Sequence, residues 1–311
     1  MKRFLLRLLL AFAPARRIPT LADQKVGLVL LTSHEDAPLL AVALHSFYWS
    51  LGDVLPCLVF DDGSLTGQDK RWLTGRFPGI AFTQPDSMKT ETLHRLQRYP
   101  FSLKKRQTES YEKMNNMRRI KFFDLFLSTP FEKSIFFDSD VLFFHKPRAI
   151  AQWVHSRKTQ TLYACERIYD NRIAGEDPCW TALSKLLRER INPKIRPEFN
   201  SGLLCFSRSL YRLDRFEEVL NYIYQVGLEE TWAAGQFVLS ALVAESRNQD
   251  LGKRYIHLRT SWEALRAIKE SVFVYTFIHF SFLSKSYFFP AAILLLVRRR
   301  FFRVDLSEKK A

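Results

Sequence analysis

The chain has 311 residues, 47% of them hydrophobic, and no low-complexity tract, which is enough to bury a large core as one autonomous domain. Its four cysteines (Cys57, Cys165, Cys179, Cys205) are far apart and form no Cys-x-x-Cys pair, and its seven histidines show no His-Glu-x-x-His spacing. That pattern argues against a disulfide scaffold or a zinc site and suits a reducing compartment. The formal charge of +15 calls for an anionic partner, and because no zinc-finger or single-strand-binding signature accompanies it, a phosphate-bearing small molecule or an anionic membrane surface is favoured over nucleic acid.

Residues 1–23 read as a basic amphipathic segment, with Lys2, Arg3 and Arg7 set in an apolar run and Arg16 and Arg17 behind it. Residues 24–287 then read as one folded domain, and residues 288–311 as an apolar run followed by Arg298, Arg299 and Arg300. Neither terminal run approaches the roughly 20 apolar residues of a membrane span. The first run resembles a secretory leader, but Pro14 to Arg17 and the cysteine pattern do not support export. Both ends suit an anionic bilayer surface, or equally can pack on the domain. The expected location is the cytoplasm, with peripheral attachment to the cytosolic face of a membrane.

Within the domain, residues 26–32 (Val-Gly-Leu-Val-Leu-Leu-Thr) have the unbroken hydrophobicity of a buried parallel strand, followed by a helix at 38–48. A second strand at 55–60 ends in Asp61-Asp62-Gly63-Ser64, a helix covers 66–77, and a short strand covers 79–83. This succession predicts an α/β sheet with ligand loops at the carboxyl ends of its strands. Residues 110–127 show helical spacing stopped by Thr129-Pro130. No Gly-x-Gly-x-x-Gly or P-loop sequence occurs, so dinucleotide and P-loop chemistry are poor candidates.

The next strand, 133–144, is apolar except where it offers Asp138-Ser139-Asp140. In a straight strand both carboxylates share a face, and a turn at Ser139 lets them converge on one hard cation. Mg2+ and Mn2+ are commonly held by one or two carboxylates plus the phosphates of a substrate, so the pair points to a metal that serves a phosphate-bearing ligand. A plain strand-end turn is the alternative.

Lys-Ser-Ile-Phe-Phe-Asp-Ser-Asp-Val-Leu-Phe (133–143) resembles the Asp-x-Asp element of nucleotide-diphospho-sugar glycosyltransferases, preceded by Lys121-Phe-Phe-Asp-Leu and Thr129-Pro130-Phe131. Three later segments agree in order with glycosyltransferase family 8. Asn200-Ser201-Gly202 is similar to the segment facing the transferred sugar, Gly235-Gln236 to a helix start that usually reads Asp-Gln, and His279-Phe-Ser-Phe-Leu-Ser-Lys285 to a His-aromatic-x-Gly-x-x-Lys segment that has lost its glycine here.

The resemblance implies an α/β fold of the GT-A type, a mixed central sheet flanked by helices. It also implies transfer of a hexose from a nucleotide diphosphate, UDP-linked by family habit, to a glycan or lipid-linked acceptor. Asp138, Asp140 and His279 become candidate ligands for Mn2+ or Mg2+, with Lys285 beside the phosphates. Gln236, Asn200 and Lys121 are candidates near the reacting carbon and leaving group. Ser139, Ser201 and Gly202 line the donor, and Asp61, Asp62 and Thr32, at strand ends, can meet the nucleoside. Retention of configuration needs no side-chain base, whereas inversion would draw attention to Glu229 or Glu230. Residues 165–197 are the expected acceptor region, with Trp232 and Trp262 able to stack on sugar. Metal-dependent nucleotidyl transfer and a non-catalytic membrane-associated binding protein use the same features.

Overall fold

The computed structural model describes residues 2–11, 13–22, 24–107, 117–166, 178–196, 198–229, 234–270 and 272–301. Seven strands form the main sheet in the order β3-β2-β1-β4-β7-β6-β8. These are β1 (Val26–Thr32), β2 (Cys57–Asp61), β3 (Ala81–Phe82), β4 (Lys133–Phe137), β6 (Thr161–Cys165), β7 (Phe199–Ser207) and β8 (Asn248–Asp250). Only β7 runs against its neighbours, pairing antiparallel with both β4 and β6. The other adjacent pairs are parallel.

The unbroken apolar runs are explained by burial on both faces. Leu28, Leu30, Val59, Ile135 and Phe137 face one core layer, and Val29, Leu31, Leu58, Phe60 and Phe136 face the other. This is the period-two alternation of a strand expressed inside a protein rather than at a surface. The first layer is closed by α1 (Lys2–Ala11), α2 (Ala37–Leu51) and the C-terminal helix at Phe288–Phe301. Helices α3 (Gly67–Arg76), α4 (Pro85–Leu96) and α5 (Pro100–Gln107) follow β2 and β3. The second layer is closed largely by α8 (Leu213–Gln225) and α9 (Ala234–Glu245). Helices α6 (Arg148–His155) and α7 (Pro178–Arg190) flank β6. The helix expected over 110–127 is seen from residue 117, widens into a π-helical turn at Ile120–Asp124 and ends at Leu127; residues 108–116 lie outside the described set.

A second sheet, β5-β10-β9, is built from β5 (Val141–Phe143), β10 (Phe277–Phe280) and β9 (Tyr255–Leu258). The stretch expected as one strand over 133–144 is therefore two strands in two sheets, and the break between them is Asp138 to Asp140. Helix α10 (Ser261–Glu270) separates β9 from β10, and a 3-10 turn (Phe282–Tyr287) leads into α11 (Phe288–Phe301). The terminal segments pack on the domain: Leu6 and Leu10 of α1 and Phe288, Ala291, Ala292 and Leu295 of α11 are buried in the first core layer. Arg76 donates to the carbonyls of Leu10 and Ala13, tying down the end of α1. No helix among the described residues is long and apolar enough to cross a membrane.

Candidate active site

The reversal of β7 is what assembles the site. Parallel strands β1, β4 and β6 bring their carboxyl ends to one edge, and an antiparallel strand between β4 and β6 brings its beginning to that same edge. Asp138 after β4, Glu166 after β6 and Asn200-Ser201-Gly202 at the start of β7 thus meet around a cavity of about 420 Å³. The Asp138 amide donates to the Gly202 carbonyl at 3.1 Å, which joins the turn directly to β7.

The second sheet supplies the histidine. β10 runs antiparallel to β5 with His279 opposite Val141, and the Phe280 amide donates to the Asp140 carbonyl at 2.9 Å. His279 Nε2 therefore stands 3.2 Å from Asp140 Oδ1 and 3.7 Å from Asp138 Oδ2. Ligand atoms of Asp138, Asp140 and His279 all lie within 4.8 Å of one another. Two carboxylates and an imidazole are a hard-to-borderline donor set, and they fit a divalent ion of the Mg2+ or Mn2+ kind. Desolvation opposes charge on Asp140, but His279 and Lys285 outweigh it and hold the carboxyl below its usual range. Desolvation likewise opposes charge on His279, and Asp140 reverses that effect, raising the imidazole.

Packing orients the His279 ring. His257, its register partner on β9, stacks on it with centroids 4.5 Å apart, while Nδ1 is buried without a hydrogen-bond partner. Gly202 also abuts the ring: a Cβ atom there would come within 2.5 Å of His279 Nδ1 and 2.6 Å of Asn200 Oδ1. Glycine is needed here for close approach of the strand to the ring.

Lys121, on the π-helical turn, places Nζ 2.8 and 3.0 Å from the two oxygens of Asp138. Lys285, on the 3-10 turn, bonds Asp36 at 2.9 Å and lies 3.8 Å from Asp140. Desolvation disfavours its charge, but Asp140 and Asp36 raise the ammonium pKa overall. Gln236 donates to the Phe199 carbonyl at 2.7 Å and accepts from Ser201 Oγ at 3.1 Å. Gly235 before it lies against Phe122, whose ring would stand 2.3 Å from an added Cβ. An aspartate cannot occupy position 235 without moving that ring.

Ten of the thirteen residues expected at the site line this cavity: Asp138, Ser139, Asp140, Lys121, Asn200, Ser201, Gly202, Gln236, His279 and Lys285. Thr32, Asp61 and Asp62 lie outside its lining. Asp61 accepts from the amides of Gly63 and Leu65 and pairs with Lys70 at 2.7 Å, and Asp62 accepts from the Ser64 amide and hydroxyl, so both carboxylates are committed to the turn. Thr32 is fully buried opposite Asp61. Glu229 is likewise absent from the lining, and Glu230, Trp232 and residues 167–177 and 197 of the expected acceptor region lie outside the described residues.

Sequence reasoning missed a buried polar network behind residues 200–202. Glu166 is ion-paired to Arg259, accepts from Asn200 Nδ2 at 3.2 Å and is 3.4 Å from Gln236 Nε2. Burial pushes its carboxyl upward, with Arg259 pulling the other way. Asn200 Nδ2 is also 3.3 Å from His257 Nδ1. Glu166 carried a usable signal, because it directly follows a buried strand at the ligand edge. Asp36 also follows a strand, β1, at that edge. His257 carried none, since only pairing of β9 with β10 brings it there.

No family model and no curated protein matches the sequence. Its structure is similar to that of mouse xyloside xylosyltransferase 1, with a TM-score of 0.52 at 14% identity over 82% of this chain and 97% of that one. It is similar to the galactosyltransferase LgtC, crystallised with donor and acceptor sugar analogues, with a TM-score of 0.51 at 11% identity over 87% and 95%. It also resembles WbbM, a bifunctional glycosyltransferase, with a TM-score of 0.53 at 12% identity over 88% of this chain, which spans 50% of that larger one. At these identities the likeness establishes the fold: a mixed α/β architecture of the nucleotide-diphospho-sugar transferase (GT-A) type.

Proposed function

We propose that the protein is a metal-dependent glycosyltransferase that moves a hexose from a UDP-linked donor to a glycan or lipid-linked acceptor with retention of configuration. The observation that carries this reading is the convergence of Asp138, Asp140 and His279 from two sheets at the ligand edge of a GT-A fold. These three residues would hold Mn2+ or Mg2+, which when bound would neutralise charge growing on the leaving diphosphate.

The chain's own groups complete the reading. Lys285 is an ammonium beside the metal carboxylates and suits the phosphates. Lys121 bonds Asp138 and suits the leaving-group oxygen or the sugar. Asn200 and Gln236 are fixed by Glu166, His257 and the Phe199 carbonyl, so their amides are held in place before a sugar arrives. The bond from the anomeric carbon to the diphosphate breaks, a bond to an acceptor hydroxyl forms, and the acceptor proton passes to the leaving phosphate oxygen. Among the described residues, the other carboxylates lining the cavity, Asp36 and Glu166, are paired with Lys285 and Arg259. That supports a reaction without a side-chain base.

The test is nucleoside diphosphate release from a panel of nucleotide sugars with Mn2+, with Mg2+ and with chelator, joined to mass analysis of the acceptor product. Full activity in chelator, or in Asp138→Asn or Asp140→Asn, would defeat the metal role. A product that keeps the nucleoside monophosphate would replace glycosyl transfer by nucleotidyl transfer.

A further inference from the structure

Of the nine large apolar side chains that stand exposed among the described residues, seven lie between residues 262 and 297: Trp262, Leu265, Val274, Phe282, Leu283, Leu294 and Val297. Scattered exposed hydrophobes need no explanation, but a concentration in one region does. The elements that carry them adjoin. Helix α10 packs on the 3-10 turn at 282–287, which packs on α11, and Ser261 Oγ reaches the Leu283 carbonyl.

The outward side of α10 has an unusual composition. Ala264 and Ala267 are buried, while Trp262, Leu265, Arg266 and Lys269, at helical spacings of three and four, are exposed. Trp262 is 66% and Leu265 51% exposed, with the Arg266 guanidinium 5.8 Å from the Trp262 ring. Beside them Phe282 and Leu283 are 62% and 70% exposed. Phe282 holds φ at +50°, the one positive value among the described residues other than glycine. A bulky residue is strained in that region, and here the strained turn leaves the aromatic ring largely exposed.

Charge identifies the occupant. Residues 251–301 contain nine Lys and Arg against two Glu; Arg259 and Lys285 are paired with Glu166 and Asp36 of other segments, while Arg266 and Lys269 stand exposed on α10 beside Trp262 and Leu265. One of the two glutamates, Glu263, accepts from the amides of Arg259 and Thr260 and serves the start of α10. Tryptophan and leucine interleaved with exposed cations match the headgroup region of an anionic bilayer, where an indole ring sits at the interface and Lys and Arg meet lipid phosphates.

We infer that the surface formed by α10 and the adjoining 3-10 turn is the face by which this protein lies on an anionic membrane. The face borders the cavity, because Phe282 and Lys285 belong to both. Docking there would set the cavity's rim at the bilayer surface, where a lipid-anchored substrate is presented. It also moves the expected attachment away from the chain ends, whose buried side chains are engaged in the core. The inference does not depend on glycosyl transfer and can fail or hold separately from it.

The experiment is cosedimentation of the full chain with vesicles of phosphatidylcholine alone and of phosphatidylcholine with phosphatidylglycerol, at low and high salt. Comparison is made with the double variant Trp262→Ser/Leu265→Ser and with Leu8→Ser, an exposed position on α1. The expected result is binding to the anionic vesicles, weakened by salt, about tenfold weaker in the α10 variant and unchanged in Leu8→Ser. Circular dichroism and thermal melting confirm that each variant is folded. Absence of binding to anionic vesicles at low salt overturns the proposal, as does undiminished binding by the folded α10 variant. Equal binding to neutral vesicles overturns its electrostatic part. A dimer in solution that the α10 variant dissociates would assign the face to a second copy of the chain instead.

Discussion

His45 makes the fold sensitive to acid in a way that can be calculated. It is fully buried on α2 between Trp49 and Phe77, with ring centroids 5.1 and 4.6 Å away, and neither ring nitrogen has a hydrogen-bond partner. Burial, reinforced by Arg16 and Arg76, pushes the imidazole down to about 3 from its ordinary 6.5. The folded protein therefore keeps His45 neutral while the unfolded chain protonates it, so its contribution is complete above about pH 6.5 and is lost progressively as pH falls toward 3. At about pH 5 the difference amounts to ~2 kcal/mol, a substantial share of the roughly 5–15 kcal/mol that holds a domain together. Urea unfolding of wild type and His45→Leu at about pH 7.5 and about pH 5 isolates the effect, because the carboxylates titrate alike in both. The drop in stability between the two pH values should be smaller in His45→Leu by ~2 kcal/mol. Equal drops would mean that His45 is protonated, or hydrated, in the folded state.

Three further outcomes follow from packing and charge. Gly202→Ala should weaken Mn2+ binding, read by calorimetry, by about tenfold or more while the fold persists, since the added methyl displaces His279 or Asn200. Arg106 and Asp124 form a buried pair at 2.6 Å, so Arg106→Leu alone should cost about 3 kcal/mol in chemical denaturation, and Arg106→Leu/Asp124→Leu should recover most of it. Gly235→Ala forces its methyl against Phe122 and should cost on the order of 1–3 kcal/mol, a penalty that should largely vanish when the same change is made in a Phe122→Ala background; thermal melts of the four proteins give the comparison.

The part of the candidate site that was legible from neighbouring residues is the part that is local. Asp138-Ser139-Asp140 interrupts an apolar strand, and that interruption is visible in the chain whatever surrounds it. The strand-helix-strand succession over residues 26–60 likewise follows from hydrophobic runs long enough to be buried on both faces. Asp61 and Asp62 show how far such reading extends. They stand at a strand's carboxyl end, where ligands often bind, yet the turn that places them there uses their oxygens for its own amides and for Lys70.

Residues near one another in the chain were enough to reveal the first three strands, the acidic turn and the cationic bias, since hydrophobic period and charge are properties of neighbouring residues. The tertiary structure decided which distant residues share the cavity. Reversal of β7 carries Asn200 to the edge where Asp138 lies, antiparallel pairing with β5 places His279 beside Asp140, and parallel pairing with β9 sets His257 behind it. It decided also that the apolar sides of the chain ends are largely consumed by the core, while Trp262 and Leu265 are left at the surface. The physical reason is the same in each case. An apolar or ionisable side chain carries no record of its partner, and strand order and register, set by the burial of the whole sheet, supply it.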